Sequence, residues 1–381
     1  MINDAAYWIA LGHLPGWRNE RINTLILKFF HEQKIGIEGF FQLTEADWRN
    51  SYGLNDKEIS DLIKAKSDIP NNSFLAESLL NQGYEIIPVT SPDYSKTLKD
   101  NLKIKYSPAV LYLKGNNKIL HEKSVAIVGS RNASDISLRF TDNIAKLASK
   151  EYKVVVSGFA KGVDKQALDS AIGYMGQSII VLPQGITTFS SGFKKYYRQI
   201  VDGDLLVLSI FHPKVPWRTD LAMARNPIIY GLADEIYVAE SSDSGGTWSG
   251  VRDGLRKNRL IYVRKPEPAE KNANLLLIKM GAIPVDFSGK RVSEVYSARV
   301  TAEKPGIVEE PESGINETIK SILQNKPQSL KEIMEKLGTS WTKNSISRLL
   351  KTLDFIEIIK KGNKNLFILK GVTENREPTL F

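Results

Sequence analysis

Cysteine is absent from this 381-residue sequence. That excludes a disulfide framework, a zinc ribbon and a thiol nucleophile. Histidine is scarce: His13, His31, His121 and His212 stand far apart with no ligand spacing, so no metal site is expected. No stretch comes near the about 18 consecutive apolar residues that a membrane span requires. The opening Met1-Ile2-Asn3-Asp4 lacks the basic start of a secretory signal. The expectation is a soluble cytoplasmic protein without membrane contact. What is present is ordinary globular usage, 42% hydrophobic and 25% charged, which excludes wholesale disorder and fibrous repeats. The length fits two or three domains.

Positive charge is in excess, 52 Lys and Arg against 43 Asp and Glu. Residues 1–118 are balanced at 14 of each sign. The surplus lies in 119–287, with 22 basic and 17 acidic residues, and in 315–370, with 11 and 5. Charge in those two places points to a polyanionic partner, nucleic acid being the commonest. A merely solvated basic surface is the alternative.

The patterning divides the chain. In residues 1–75, Ile22, Leu25, Ile26, Phe29 and Phe30 fall at helical spacing behind the Leu14-Pro15-Gly16 turn. Either a helical packing module or a helix-hairpin-helix-like nucleic-acid binder fits. Residues 76–287 alternate short β-rich runs with helix-length stretches. The runs are 124–129, 153–157, 178–182, 205–210, 235–240 and 259–263. Strands apolar on both faces between helices predict an α/β fold with a Rossmann-like parallel-sheet core. Residues 288–314 are polar and broken by proline and glycine, as a linker is. Residues 315–370 predict three helices and a basic-tipped hairpin, a C-terminal winged helix, with Ser329 and Glu332 at capping-box spacing. Its candidate DNA contacts are Lys343, Arg348, Lys360, Lys361 and Lys364. A protein-docking winged helix is the alternative. Residues 371–381 form a tail.

Loops at the C-terminal ends of parallel strands line the crevice of an open α/β sheet. Four such ends carry chemistry. Gly129-Ser130-Arg131 offers a backbone that can approach a phosphate, a hydroxyl and a planar guanidinium. Ser157-Gly158-Phe159-Ala160-Lys161-Gly162-Val163-Asp164 leads into a helix whose positive dipole end favours an anion. Arg225-Asn226 is the third, and Ser244-Gly245-Gly246-Thr247 opens a further helix. One glycine loop alone reads as packing; four together, two of them with a cation, point to anion binding. The spacing matches neither a dinucleotide fingerprint nor a Walker A loop.

In order and spacing over roughly residues 80–287, these four motifs resemble the DNA-processing protein A (DprA/Smf) family. A helical N-terminal module and a C-terminal winged helix also accord with it. The resemblance implies an extended Rossmann-like core that binds single-stranded DNA without catalysis, cofactor or metal. It further implies a homodimer that loads the recombinase RecA onto incoming DNA during natural transformation; the basic winged helix by itself points to duplex DNA as a second partner. Carried onto this sequence, Arg131, Lys161 and Arg225 track the DNA backbone. Asn226 and Asp164 order the loops, and Gly129, Gly158, Gly162 and Gly245 permit close approach. Phe159 and Tyr196 are candidates for base stacking, and Lys194, Lys195 and Arg198 for further phosphate contacts. Three places depart from the family pattern: Leu168 where a histidine is usual, Phe189-Ser190 for Tyr-Pro, and Ala222-Met223 for Phe-Pro. A role other than transformation, such as phage defence, stays open.

Two other functions fit parts of the pattern. Gly245-Gly246-Thr247 resembles the nucleotide phosphoribohydrolases of the LOG kind, with Glu240, Asp243 or Asp253 as the nearest acids. A regulator whose core senses a nucleotide while its winged helix holds duplex DNA is the other.

Overall fold

The computed structural model describes residues 2–292, 318–324, 326–337, 346, 350, 353, 355–361 and 364–370. The chain forms two compact units, 1–295 and 296–381.

The first unit is built on nine strands: β1 Glu85–Pro88, β2 Val110–Lys114, β3 Ser124–Val128, β4 Val154–Ser157, β5 Ser178–Val181, β6 Leu205–Ser209, β7 Glu235–Val238, β8 Ile261–Arg264 and β9 Ile283–Val285. Their order across the sheet is β1-β2-β6-β5-β4-β3-β7-β8-β9. From β6 to β9 every pairing is parallel. At one edge β2 pairs antiparallel with β6, and β1 antiparallel with β2. The Rossmann-like parallel core expected from the alternating runs is therefore present. The antiparallel pairing at this edge was not legible, because β1 and β2 precede the first parallel strand in sequence and join the sheet only through β6.

The apolar strands are explained by what covers them. Along β3, Val125 and Ile127 face one core with Phe140, Ile144, Val163 and Ala167, from helices Asp135–Lys150 and Val163–Gly173. Ala126 and Val128 face the other, with Ile228 and Ile229 of helix Asn226–Leu232. A period of two thus feeds two buried layers.

The second core continues into the helical residues, where Trp8, Phe29, Phe40 and Trp48 pack with the strands of the β1–β2 edge. Helix Ile69–Asn81 runs through the expected 75/76 boundary. It begins at Ile69 because Pro70 suits a first helical turn and cannot extend the preceding helix. Likewise residues 288–292, expected in the linker, close the sheet edge: Val285 bridges Arg291, and the amides of Ser288 and Lys290 donate to Asp286 Oδ1. The remainder of the expected linker, 293–314, lies outside the described residues.

In the second unit, β10 Gln328–Ser329, β11 Ile356–Lys361 and β12 Lys364–Leu369 form a sheet in the order β10-β12-β11. Helix Leu330–Leu337 starts at the expected capping box, with Ser329 N–H donating to Glu332 Oε2 at 2.7 Å and Glu332 N–H to Ser329 Oγ at 3.4 Å. Ile319, Leu323, Ile333, Ile346, Leu350, Ile356 and Phe367 share its core. The hairpin was expected; β10 was not, since two polar residues carry no strand pattern. Lys343 and Arg348 lie outside the described residues. Lys360, Lys361 and Lys364 lie on the hairpin strands, and their side chains are outside the description.

Candidate functional site

The chain runs β3 to β6 towards one edge, then returns to place β7 on the other side of β3. The loops leaving β3 and β7 therefore part, and a crevice opens at their C-terminal ends. A cleft of about 350 Å³ sits there. All four motif loops contribute to it: Gly129, Ser130 and Arg131; Ala160 and Asp164; Arg225 and Asn226; Ser244, Gly245, Gly246 and Thr247. Thr219, Met223, Tyr230 and Ser242 complete the wall. No composition or spacing signal marked Thr219 or Ser242.

Arg225 forms the floor. It is 3% exposed and faces Asp164, with Nη2 3.8 Å from Oδ2. Its Nε and Nη1 have no acceptor among the described residues. Burial, with help from nearby Arg131, pulls the guanidinium pKa below its ordinary value, and Asp164 opposes this. Asp164 is itself pushed up by burial, against the pull of Arg225, Arg131 and the amides of Ala160 and Gly158. Two guanidinium groups and one carboxylate leave the cleft with positive charge and with unused donors.

The second loop is shaped by its glycines. A methyl group on Gly158 would meet Arg225 Nη1 at 1.5 Å. Gly162 adopts φ +85°, and a Cβ there would lie 2.4 Å from the carbonyl oxygen of Ser130. These two serve the protein's own close approaches, so that loops one and two lock together; Val163 N–H donates to Ser130 O at 3.2 Å. Gly245, at φ +84°, faces open space. It begins helix Gly245–Arg256, whose Ser244 N-cap makes no side-chain hydrogen bond, so the first amides point at the cleft uncapped.

Several expected site residues do something else. Ser157 is buried, its hydroxyl donating to the carbonyls of Asp164 (3.1 Å) and Ile127 (3.4 Å), and so cannot reach a ligand. Gly158 and Gly162 lie behind the cleft wall. Lys161 is exposed on the same loop but outside the lining. Tyr196 is buried and donates to Asp169 Oδ1, and Phe159 stands edge-on against Phe189 and Tyr196, with centroids at 5.1 and 5.8 Å. Tyr196 is thus a core ring, and Phe159 is partly buried against it. Lys195 is engaged by Asp169 and Tyr196, and Arg198 by Asp202. Leu168, standing where the family pattern has a histidine, is core.

Glu240 was one of three acids, with Asp243 and Asp253, near enough in sequence for hydrolysis. Its Oε2 accepts from the Ser134 amide (3.0 Å), the Ser134 hydroxyl (2.6 Å) and the Ser137 hydroxyl (2.7 Å). It braces Ser134, the N-cap of helix Asp135–Lys150, and Ser137 in that helix's first turn, so this oxygen is already committed to three donors. Behind it, buried Arg264 forks onto Glu270 at 2.7 and 2.5 Å and donates to Ser137 Oγ and the Ala239 carbonyl. Asn274 ties Ser241, Ala239 and Arg264 together. This network fixes the end of β7 where the cleft begins. A larger cavity, about 550 Å³, lies in the helical residues, but Arg21 is held by Glu58 and Trp17 by Asp61.

Fold and cleft define a Rossmann-like protein with a buried arginine and glycine loops at its switch point. The family model described as DNA recombination-mediator protein A matches residues 85–296, and the chain belongs to that family. It is a family of mediators, not of catalysts. Over 380 aligned residues the chain is 24% identical to Protein Smf of Synechocystis sp., covering 87% of this chain and 91% of that protein. It is 31% identical over 164 residues to DNA processing protein DprA of Streptococcus pneumoniae, covering 43% of this chain and 57% of that protein. The X-ray structure of that pneumococcal protein superposes with a TM-score of 0.61 at 24% identity, over 74% of this chain and 95% of that one, which shows the shared fold. No described helix is long and apolar enough to cross a membrane.

Proposed function

We propose that the switch-point cleft grips the backbone of single-stranded DNA, and that the chain acts as a recombination mediator presenting that strand to RecA in natural transformation. The observation that carries this is Arg225: a guanidinium at the cleft floor with two donors unpaired. A buried, half-satisfied cation is costly unless a ligand completes it. A phosphate oxygen supplies that acceptor, with the uncapped amides of Gly245 and Gly246 beside it. Exposed Arg131 and Lys161 extend the positive surface along which further phosphates run. Pairing of two copies as a homodimer would double that surface and add avidity. The second unit is read as a winged helix that adds duplex or protein contacts.

The test is a gel mobility titration of the full chain with single- and double-stranded oligonucleotides of equal length, repeated for Arg131→Ala. Tighter single-strand binding that weakens in the variant supports the reading. Duplex preference, or no DNA binding, rejects it.

A further inference from the structure

We infer that Trp217 is a stacking platform for an unpaired base beside the cleft; this rests on the reading of the cleft as a single-strand site. The described tryptophans are otherwise occupied. Trp8 and Trp48 are buried, Trp17 donates to Asp61, and Trp248 carries Arg252 over its ring. Trp217 is 54% exposed and has no aromatic neighbour, cation or indole acceptor among the described residues. An indole left open to water keeps its apolar area and π-face available to a ligand.

Its mounting is stiff. Between β6 and helix Thr219–Ala224, the segment Pro213-Lys214-Val215-Pro216 carries two prolines that fix φ. Gly185 N–H donates to the Val215 carbonyl at 2.7 Å, and Thr187 donates to the Pro213 carbonyl through its hydroxyl at 2.6 Å and its amide at 3.2 Å. Val215 N–H closes the turn on His212 O at 2.9 Å. A ring on a pinned stalk loses little entropy when a base lands on it.

Its place is at the rim. Thr219 and Met223 line the cleft, and the same helix leads into Arg225. Two residues of chain span at most about 7 Å, so Trp217 stands within about one nucleotide of the wall. Lys214, exposed on the same stalk without a carboxylate partner among the described residues, adds a charge for the neighbouring phosphate. Phosphate contacts cannot tell a single strand from a duplex by its bases, whereas an exposed ring can, because paired bases hide their faces. Trp217 thereby supplies selectivity for the unpaired state.

The experiment is fluorescence anisotropy on the full chain with oligothymidine and with an abasic strand of equal length, at several salt concentrations. Trp217→Ala is expected to weaken oligothymidine binding about 5- to 150-fold with an unchanged salt slope. Trp217→Phe keeps most of the affinity, and the abasic strand binds wild type and Trp217→Ala alike. Equal oligothymidine binding by wild type and Trp217→Ala overturns the platform, as does an equal loss on the abasic strand. If in that case Arg225→Ala still abolishes binding, the cleft reading stands and the platform alone falls. If wild type binds neither strand, both fall.

Discussion

Arg225 and Asp164 face each other across the cleft floor, Nη2 to Oδ2 at 3.8 Å, with the arginine's other donors unused. The pair is thus part ion pair and part open socket. Removing one charge strands the other in a buried place. Arg225→Ala is expected to lower stability by about 3 kcal/mol and to abolish single-strand binding. Arg225→Ala with Asp164→Asn should recover most of the stability and none of the binding, measured by urea unfolding alongside anisotropy. Recovery of both would take Arg225 out of the site.

Arg131 is exposed at the cleft mouth, so its loss should leave the fold alone. Arg131→Ala is expected to shift stability by less than about 0.5 kcal/mol. The slope of log affinity against log salt should shrink by about 1, as one phosphate contact is given up. An unchanged slope would contradict the contact.

Gly158 has no room for a side chain because Arg225 fills it. Gly158→Ala should cost about 1–3 kcal/mol, the usual range for overpacking, and displace the guanidinium. A thermal melt lowered together with weaker DNA binding is expected; an unaltered melt would show that the arginine moves aside freely.

Glu270 carries an acid-range prediction. The hydrogen-bonded Arg264 fork holds its carboxyl below the ordinary glutamate value, outweighing burial. A carboxylate with a depressed folded pKa gives stability that is complete above its unfolded value. That stability drains as pH falls through the folded one. Stability should therefore decline below about pH 4.5, the ordinary glutamate range, and Glu270→Gln should flatten part of that decline. Parallel pH–stability curves for the two proteins would sink the assignment.

Glu240 is committed to Ser134 and Ser137. The chain incubated with nucleoside monophosphates is expected to release no free base. Glu240→Ala should cost about 1–3 kcal/mol, because the Ser134 and Ser137 hydroxyls lose their acceptor. Base release that disappears in this variant would reinstate hydrolysis.

Much was readable before folding. The runs at β3 to β8 are apolar at consecutive positions, with polar residues only at their ends, because both faces are covered, which is a local signal of a parallel sheet. The four glycine and arginine motifs were readable because tight turns and anion approach demand particular residue types. The Ser329–Glu332 cap was readable because it spans a single helical turn. Trp217 was not legible, since one aromatic following two prolines has no periodicity to mark it.

Tertiary structure decided what each of those groups faces. Arg225 and Arg131 are the same residue type in two motif loops, yet one is buried against Asp164 and the other lies open. Ser157 ends β4 and Ser130 stands two residues past the end of β3 in the neighbouring motif, yet only Ser130 lines the cleft. The amino-acid sequence by itself set strands, helices and anion-binding turns, since those depend on neighbours a few residues away. Which turns meet, and which donors are left unpaired, depends on β7 returning to the far side of β3, a contact between residues more than a hundred positions apart.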